Sequence, residues 1–151
     1  MKIALMLILL FAAQNRSVDV ARPQSSDLKG QWKIEITFED QSKRSLSFDA
    51  ENSGSGSLIL EARSNWDEPA KPSQAKWTMG REKRVTISGP VEFPIGNVGR
   101  ETGVLVFKGS FKSEGKITGD FGFYSMDQDP MDPKSTPSKT GKFEATRVRG
   151  N

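Results

Sequence analysis

The sequence predicts an all-β fold, an eight-stranded antiparallel up-and-down barrel. Eight short segments between Gly30 and Val148 alternate apolar and polar residues, with almost no helical periodicity between them. Their connections are of hairpin type, so no long crossover of the kind that parallel strands need is required. Glycines recur inside the segments at Gly56, Gly89, Gly109, Gly119, Gly122 and Gly141. Such positions often mark the bends that let a sheet curl closed.

The first segment, Gln31 to Glu39, is the clearest. Trp32, Ile34, Ile36 and Phe38 share one face, while Lys33, Glu35, Thr37 and Glu39 share the other. Arg44 to Ala50 follows with Phe48 at core parity, and then Gly56 to Ala62. In Gln74 to Met79, the residues Ala75, Trp77 and Met79 form the inward face. Arg84 to Phe93 and Gly103 to Phe111 contribute Phe93, Phe107 and Phe111. In Lys116 to Tyr124, Asp120 alternates against Phe121 and Phe123 and is expected to face water. Gly141 to Val148 closes the set with Phe143, Ala145 and Arg147 on one face.

The connections divide by length. Glu51 to Ser55, Gly80 to Lys83 and Lys112 to Gly115 share one end and are tight. Arg63 to Ser73, Pro94 to Thr102 and Ser125 to Thr140 share the other end and are long. The expectation is a barrel closed at one end with a loop-bearing mouth at the other. The basic cluster Arg81, Lys83 and Arg84 around Glu82 reads as a solvated hairpin tip.

The chain has 151 residues, enough for one domain with a core. Met1-Lys2 followed by the apolar run Ile3 to Ala13 has the charge and length of a secretory signal and is too short to span a bilayer. Residues 1–13 are therefore read as a signal peptide, 14–28 as a polar linker of low order, and 29–149 as the barrel. A secreted or periplasmic protein with no membrane span after cleavage is expected. Without cysteine there is no disulfide framework, so stability must come from the core. Losing Lys2 with the signal lowers the formal charge from +3 to +2, and no Lys/Arg stripe alternates with exposed aromatics. Nucleic acid is not an expected partner.

The chain has neither histidine nor cysteine. That removes Ser-His and Cys-His nucleophile pairs and ordinary zinc and iron sites. Asp49, Glu61, Glu92, Asp120 and Glu144 lie on strands but mostly at polar parity, with no local setting that would shift a pKa toward acid/base work. The expectation is a protein that is not an enzyme and carries no cofactor. Asp127, Asp129 and Asp132 lie close together in one loop. The loop lacks the glycine and terminal glutamate of the helix-loop-helix calcium motif and is stiffened by Pro130 and Pro133, so it reads as a solvated acidic loop and not a metal site.

Gly30-Gln31-Trp32 at the start of the first strand, with Ala145-Thr146-Arg147 in the last, resembles the calycin superfamily of lipocalins, fatty-acid-binding proteins and avidins. The resemblance implies that Gly30, Trp32 and Arg147 form a structural signature at the closed end, with Arg147 packed across Trp32. A guanidinium over an indole contributes about 0.5–2 kcal/mol. The triplet Gly119-Asp120-Phe121 shares only its acid with the middle lipocalin motif, and the polar biotin-binding set of avidins has no residue-by-residue counterpart. Gly141-Lys142-Phe143-Glu144-Ala145-Thr146-Arg147 is similar to small lipocalin-like domains of exported bacterial proteins, whose function is generally undefined.

Two functional readings follow. In one, the long loops and Trp66, the large aromatic placed outside the strand core, form a mouth for a small apolar molecule. In the other, the barrel is filled and serves as a structural or protein-interaction module, its partner an envelope protein.

Overall fold

The computed structural model describes residues 28–52, 54–62, 71–95 and 99–149. Eight strands follow in chain order: β1 (Gly30–Phe38), β2 (Lys43–Ala50), β3 (Ser55–Leu60), β4 (Ser73–Met79), β5 (Arg84–Ile95), β6 (Gly99–Ser113), β7 (Lys116–Ser125) and β8 (Lys139–Arg147). Each pairs antiparallel with its chain neighbour, and β1 also pairs with β8 from Trp32↔Arg147 to Phe38↔Gly141. The sheet is a closed eight-stranded up-and-down barrel. Closure gives every strand a neighbour on both sides, which removes the edge strands of an open sheet.

Period-two alternation decides what the barrel holds. Trp32, Ile34 and Ile36 of β1 are buried, whereas Gln31, Lys33 and Glu35 between them are exposed. The same parity buries Leu46, Phe48, Ala75, Trp77, Leu105, Phe107, Phe121, Phe123, Phe143 and Ala145. Phe38, Met79 and Phe111 are partly buried and pack against this core. Asp120 faces outward, where it pairs with Lys142.

Aromatic rings run in contact along the lumen. Phe143 meets Phe107 with centroids 5.1 Å apart, Phe107 meets Phe121 at 6.1 Å, and Phe121 meets Phe38 at 5.2 Å. The series continues through Phe93, 5.9 Å from Phe38, to Phe123, 5.2 Å from Phe93. Most of these pairs are edge-to-face, the geometry that matches the positive rim of one ring to the negative face of the next.

Interior glycines make room for the rings. A Cβ at Gly109 would lie 2.7 Å from Phe143 Cζ and 2.6 Å from the Thr118 carbonyl oxygen, and one at Gly103 would lie 2.4 Å from Phe123 Cζ. Gly141 faces Phe121 and Gly56 faces Phe48 in the same way. Small and large residues thus alternate so that a narrow barrel can be packed. Gly109→Val is expected to destabilise the fold by about 1–3 kcal/mol through overpacking, read as a lower denaturant midpoint with an unchanged slope. An unchanged midpoint would mean that Phe143 is not held against this wall.

The structure corrects the expected organisation in three places. Pro94 to Thr102 is not a long loop, because β5 and β6 remain paired out to Ile95↔Gly99 and only residues 96–98 lie between them. Pro90 falls inside the expected fifth strand, Arg84 to Phe93, whereas Pro94 is expected to open the loop. Both lie beyond Ser88, where the described β4 ladder stops, and a missing N–H is tolerated at such an edge. Leu28 is not part of a loose linker, since its side chain is fully buried. The third correction concerns residues 126–138, of which the last part does not stand over the mouth. Pro137 lies against Gly122 on the outer wall, and Ser138 donates from both its amide and its hydroxyl to the Phe123 carbonyl. Val106, opposite Gly122 in the register, is buried although it points outward.

Candidate functional site

The closed end of the barrel brings the sequence-derived residues Gly30, Trp32 and Arg147 together, and the opposite end gathers residues that the sequence did not single out as a site. At the closed end, β1 begins and β8 finishes in register, with Trp32 opposite Arg147. The Arg147 guanidinium carbon lies 4.5 Å from the Trp32 ring centroid. Arg147 Nη1 donates to the Lys29 carbonyl oxygen at 2.6 Å, and the Trp32 indole Nε1 donates to the Leu28 carbonyl oxygen at 2.7 Å. Phe111 closes the other side of the indole, with its ring edge-on at 5.9 Å.

Gly30 makes this arrangement possible. Its φ of +114° lies where L side chains rarely go, and a Cβ there would meet Arg147 Nη1 at 3.4 Å. The turn lets residues 28 and 29 fold back beneath the barrel, with their carbonyls held by Trp32 and Arg147 and the Leu28 side chain in the core. Sequence reasoning missed Leu28. The available signal was a large apolar residue two positions ahead of Gly30-Gln31-Trp32 in an otherwise polar stretch.

Arg147→Ala removes the cation over the indole and the donor to Lys29. The expected loss is about 1–3 kcal/mol of folding stability, measured by chemical denaturation. An unfolding midpoint equal to the parent's would show that the contact carries no structural weight.

The opposite end is occupied by side chains. Phe38, Phe93 and Phe123 bring the aromatic series to the rim. Arg44 is 5% exposed, and its guanidinium carbon lies 5.9 Å from the Phe93 centroid. Lys139 Nζ stands 5.1 Å from the Phe123 centroid while pairing with Glu101. A cation against a ring face is held by the ring quadrupole, more strongly as water is excluded. Arg44 was a strand-end residue to the sequence reading. Its parity with Leu46, Phe48 and Ala50 was the signal that it turns inward.

Beside this rim a groove of about 570 Å³ runs between the end of β3 and the second half of β5. Leu58, Leu60, Pro72, Pro90 and Val91 form its apolar part, and Lys71, Glu92 and Arg100 its charged border. Glu92 and Arg100 form an exposed ion pair at 3.6 Å. Trp66, the expected mouth residue, lies outside the described residues, as do the proposed signal peptide and residues 14–27 of the expected linker.

Several other polar groups serve local structure. Asp129 accepts the Met131 amide and Asp132 accepts the Lys134 amide, each at 2.9 Å, which ties the acidic loop to its own backbone. At the β1–β2 turn, the Ser42 hydroxyl and amide hold the Asp40 carboxyl below the usual carboxylate range. A depressed carboxyl contributes stability above its unfolded pKa that is lost as pH falls through the folded value, so this turn loosens only in acid.

No family model matches this chain, and no curated protein matches it. Among solved structures, a redesigned β-barrel is similar at 13% identity, with 83% of this chain and 95% of that one covered and a TM-score of 0.47.

Proposed function

We infer that this chain is an exported, calycin-like barrel whose lumen is filled and which acts through its outer surface as a structural or protein-interaction module, its partner an envelope protein. The observation that carries this reading is the aromatic series from Phe143 to Phe123. A small apolar ligand entering the lumen would have to displace rings that already bury one another, at about 1.5–3 kcal/mol per ring re-exposed. The Met1–Ala13 run supports export, and the contact of Arg147 with Trp32 above Gly30 supports the calycin kinship. The outer faces carry Lys33, Glu35, Asp120, Lys142 and Glu144. A barrel facing lipid would present an apolar band there instead.

The groove beside β3 and β5 favours the second reading, a site for a small apolar molecule. Its volume is within the range of small-molecule pockets, and Leu58, Leu60 and Val91 give it an apolar wall. Native mass spectrometry with an environment-sensitive apolar dye separates the two readings. The filled-barrel reading expects no retained mass and no saturable dye signal. Saturable one-to-one uptake, weakened about five- to a hundredfold by Trp66→Ala with the barrel still folded, would overturn it in favour of the ligand site.

A further inference from the structure

The oxidisable chemistry of the described residues is concentrated in one loop. The chain has no cysteine, and Trp32 and Trp77 are buried at 1% and 5% exposure. Among the described methionines, Met79 packs against the core, whereas Met126 is 60% and Met131 83% exposed. Both exposed residues sit in the segment between β7 and β8, and that segment is held by backbone bonds and not by the thioethers. The Gln128 amide donates to the Ser125 carbonyl, the Asp132 amide to the Asp129 carbonyl and the Ser135 amide to the Asp132 carbonyl, each at 3.0 Å. The Met131 amide is taken by Asp129 Oδ1.

We propose that Met126 and Met131 form a reversible oxidation site of this barrel, in which methionine sulfoxide forms and is reduced without disturbing the fold. The oxidant is a two-electron oxygen donor such as hydrogen peroxide. A sulfur lone pair attacks one peroxide oxygen, the O–O bond breaks, an S–O bond forms, and the second oxygen leaves as water after proton transfer. The reverse step takes two electrons from a dithiol: the sulfoxide oxygen leaves as water and the dithiol becomes a disulfide. Exposure controls the forward rate, because peroxide must reach the sulfur. The fold is spared because neither side chain fills the core, whereas a sulfoxide at Met79 would place a polar group against apolar packing.

The test treats the full chain with hydrogen peroxide and follows each methionine by peptide mass mapping while recording thermal unfolding. The expected order is Met131 first, then Met126, with Met79 slower by about tenfold or more. The unfolding midpoint should stay at the parent value after both loop methionines are oxidised. Methionine sulfoxide reductases with dithiothreitol should then restore the parent mass. Met126→Leu/Met131→Leu should remove the fast oxygen uptake of the peptide between β7 and β8 while leaving the barrel folded. Oxidation of Met79 at the same rate as Met131, a lowered midpoint after loop oxidation alone, or sulfoxides that the reductases do not reduce would each overturn the proposal.

Discussion

Phe107→Ala should lose about 3–5 kcal/mol of folding stability, among the largest effects expected from a single core truncation here. Phe107 is fully buried within the aromatic series, with Phe143 on one side and Phe121 on the other. Removing its ring loses the transfer free energy of the buried atoms and leaves a void that its two ring neighbours can only partly refill. The void would be apolar and dry, so the variant should bind a benzene-sized molecule that the parent does not. Denaturant unfolding and benzene titration measure the two consequences separately. A cost below about 1 kcal/mol would mean that the lumen is not packed around Phe107, and the filled-barrel reading would lose its basis.

Trp32→Ala should cost a similar amount, about 3–5 kcal/mol, for a different set of reasons. The indole is 1% exposed, packs edge-on with Phe111, carries the Arg147 guanidinium on its face and donates to the Leu28 carbonyl. Truncation therefore empties a large volume and releases the segment that seals the closed end. Trp32→Phe keeps most of the apolar bulk and loses the N–H donor, so it should fall between parent and alanine variant. The contact with Arg147 can be isolated by a double-mutant cycle. Arg147→Ala should cost less in the Trp32→Ala background than in the parent, with a coupling of about 0.5–2 kcal/mol. Additive costs would show that the two residues stabilise the closed end independently.

The eight strands were legible because each carries a local period-two record of which side faces the core. Trp32, Ile34 and Ile36 against Lys33 and Glu35 is the plainest case, and Asp120 between Gly119 and Phe121 is equally readable. The Gly30, Trp32 and Arg147 set was named through its resemblance to a calycin signature, with which strand parity and an even strand count are compatible. Its depth could not be read, since Leu28 lies in a polar stretch and is recruited by bonds to Trp32 and a turn at Gly30.

Local pattern thus determined the class of fold, the strand count and the inward face of nearly every strand, since alternation is a property of consecutive residues. Tertiary structure decided what depends on neighbours distant in the chain. Partnership with β6 carries β5 beyond Phe93 through Pro94 to Ile95, and contact with Gly122 turns Pro137 onto the outer wall. The rings of Phe93 and Phe123 fill the rim beside Arg44 and Lys139. The physical reason is common to all of these. A strand's backbone groups and a ring's faces are satisfied by whatever the closed sheet brings alongside them, and a linear sequence does not record that neighbour.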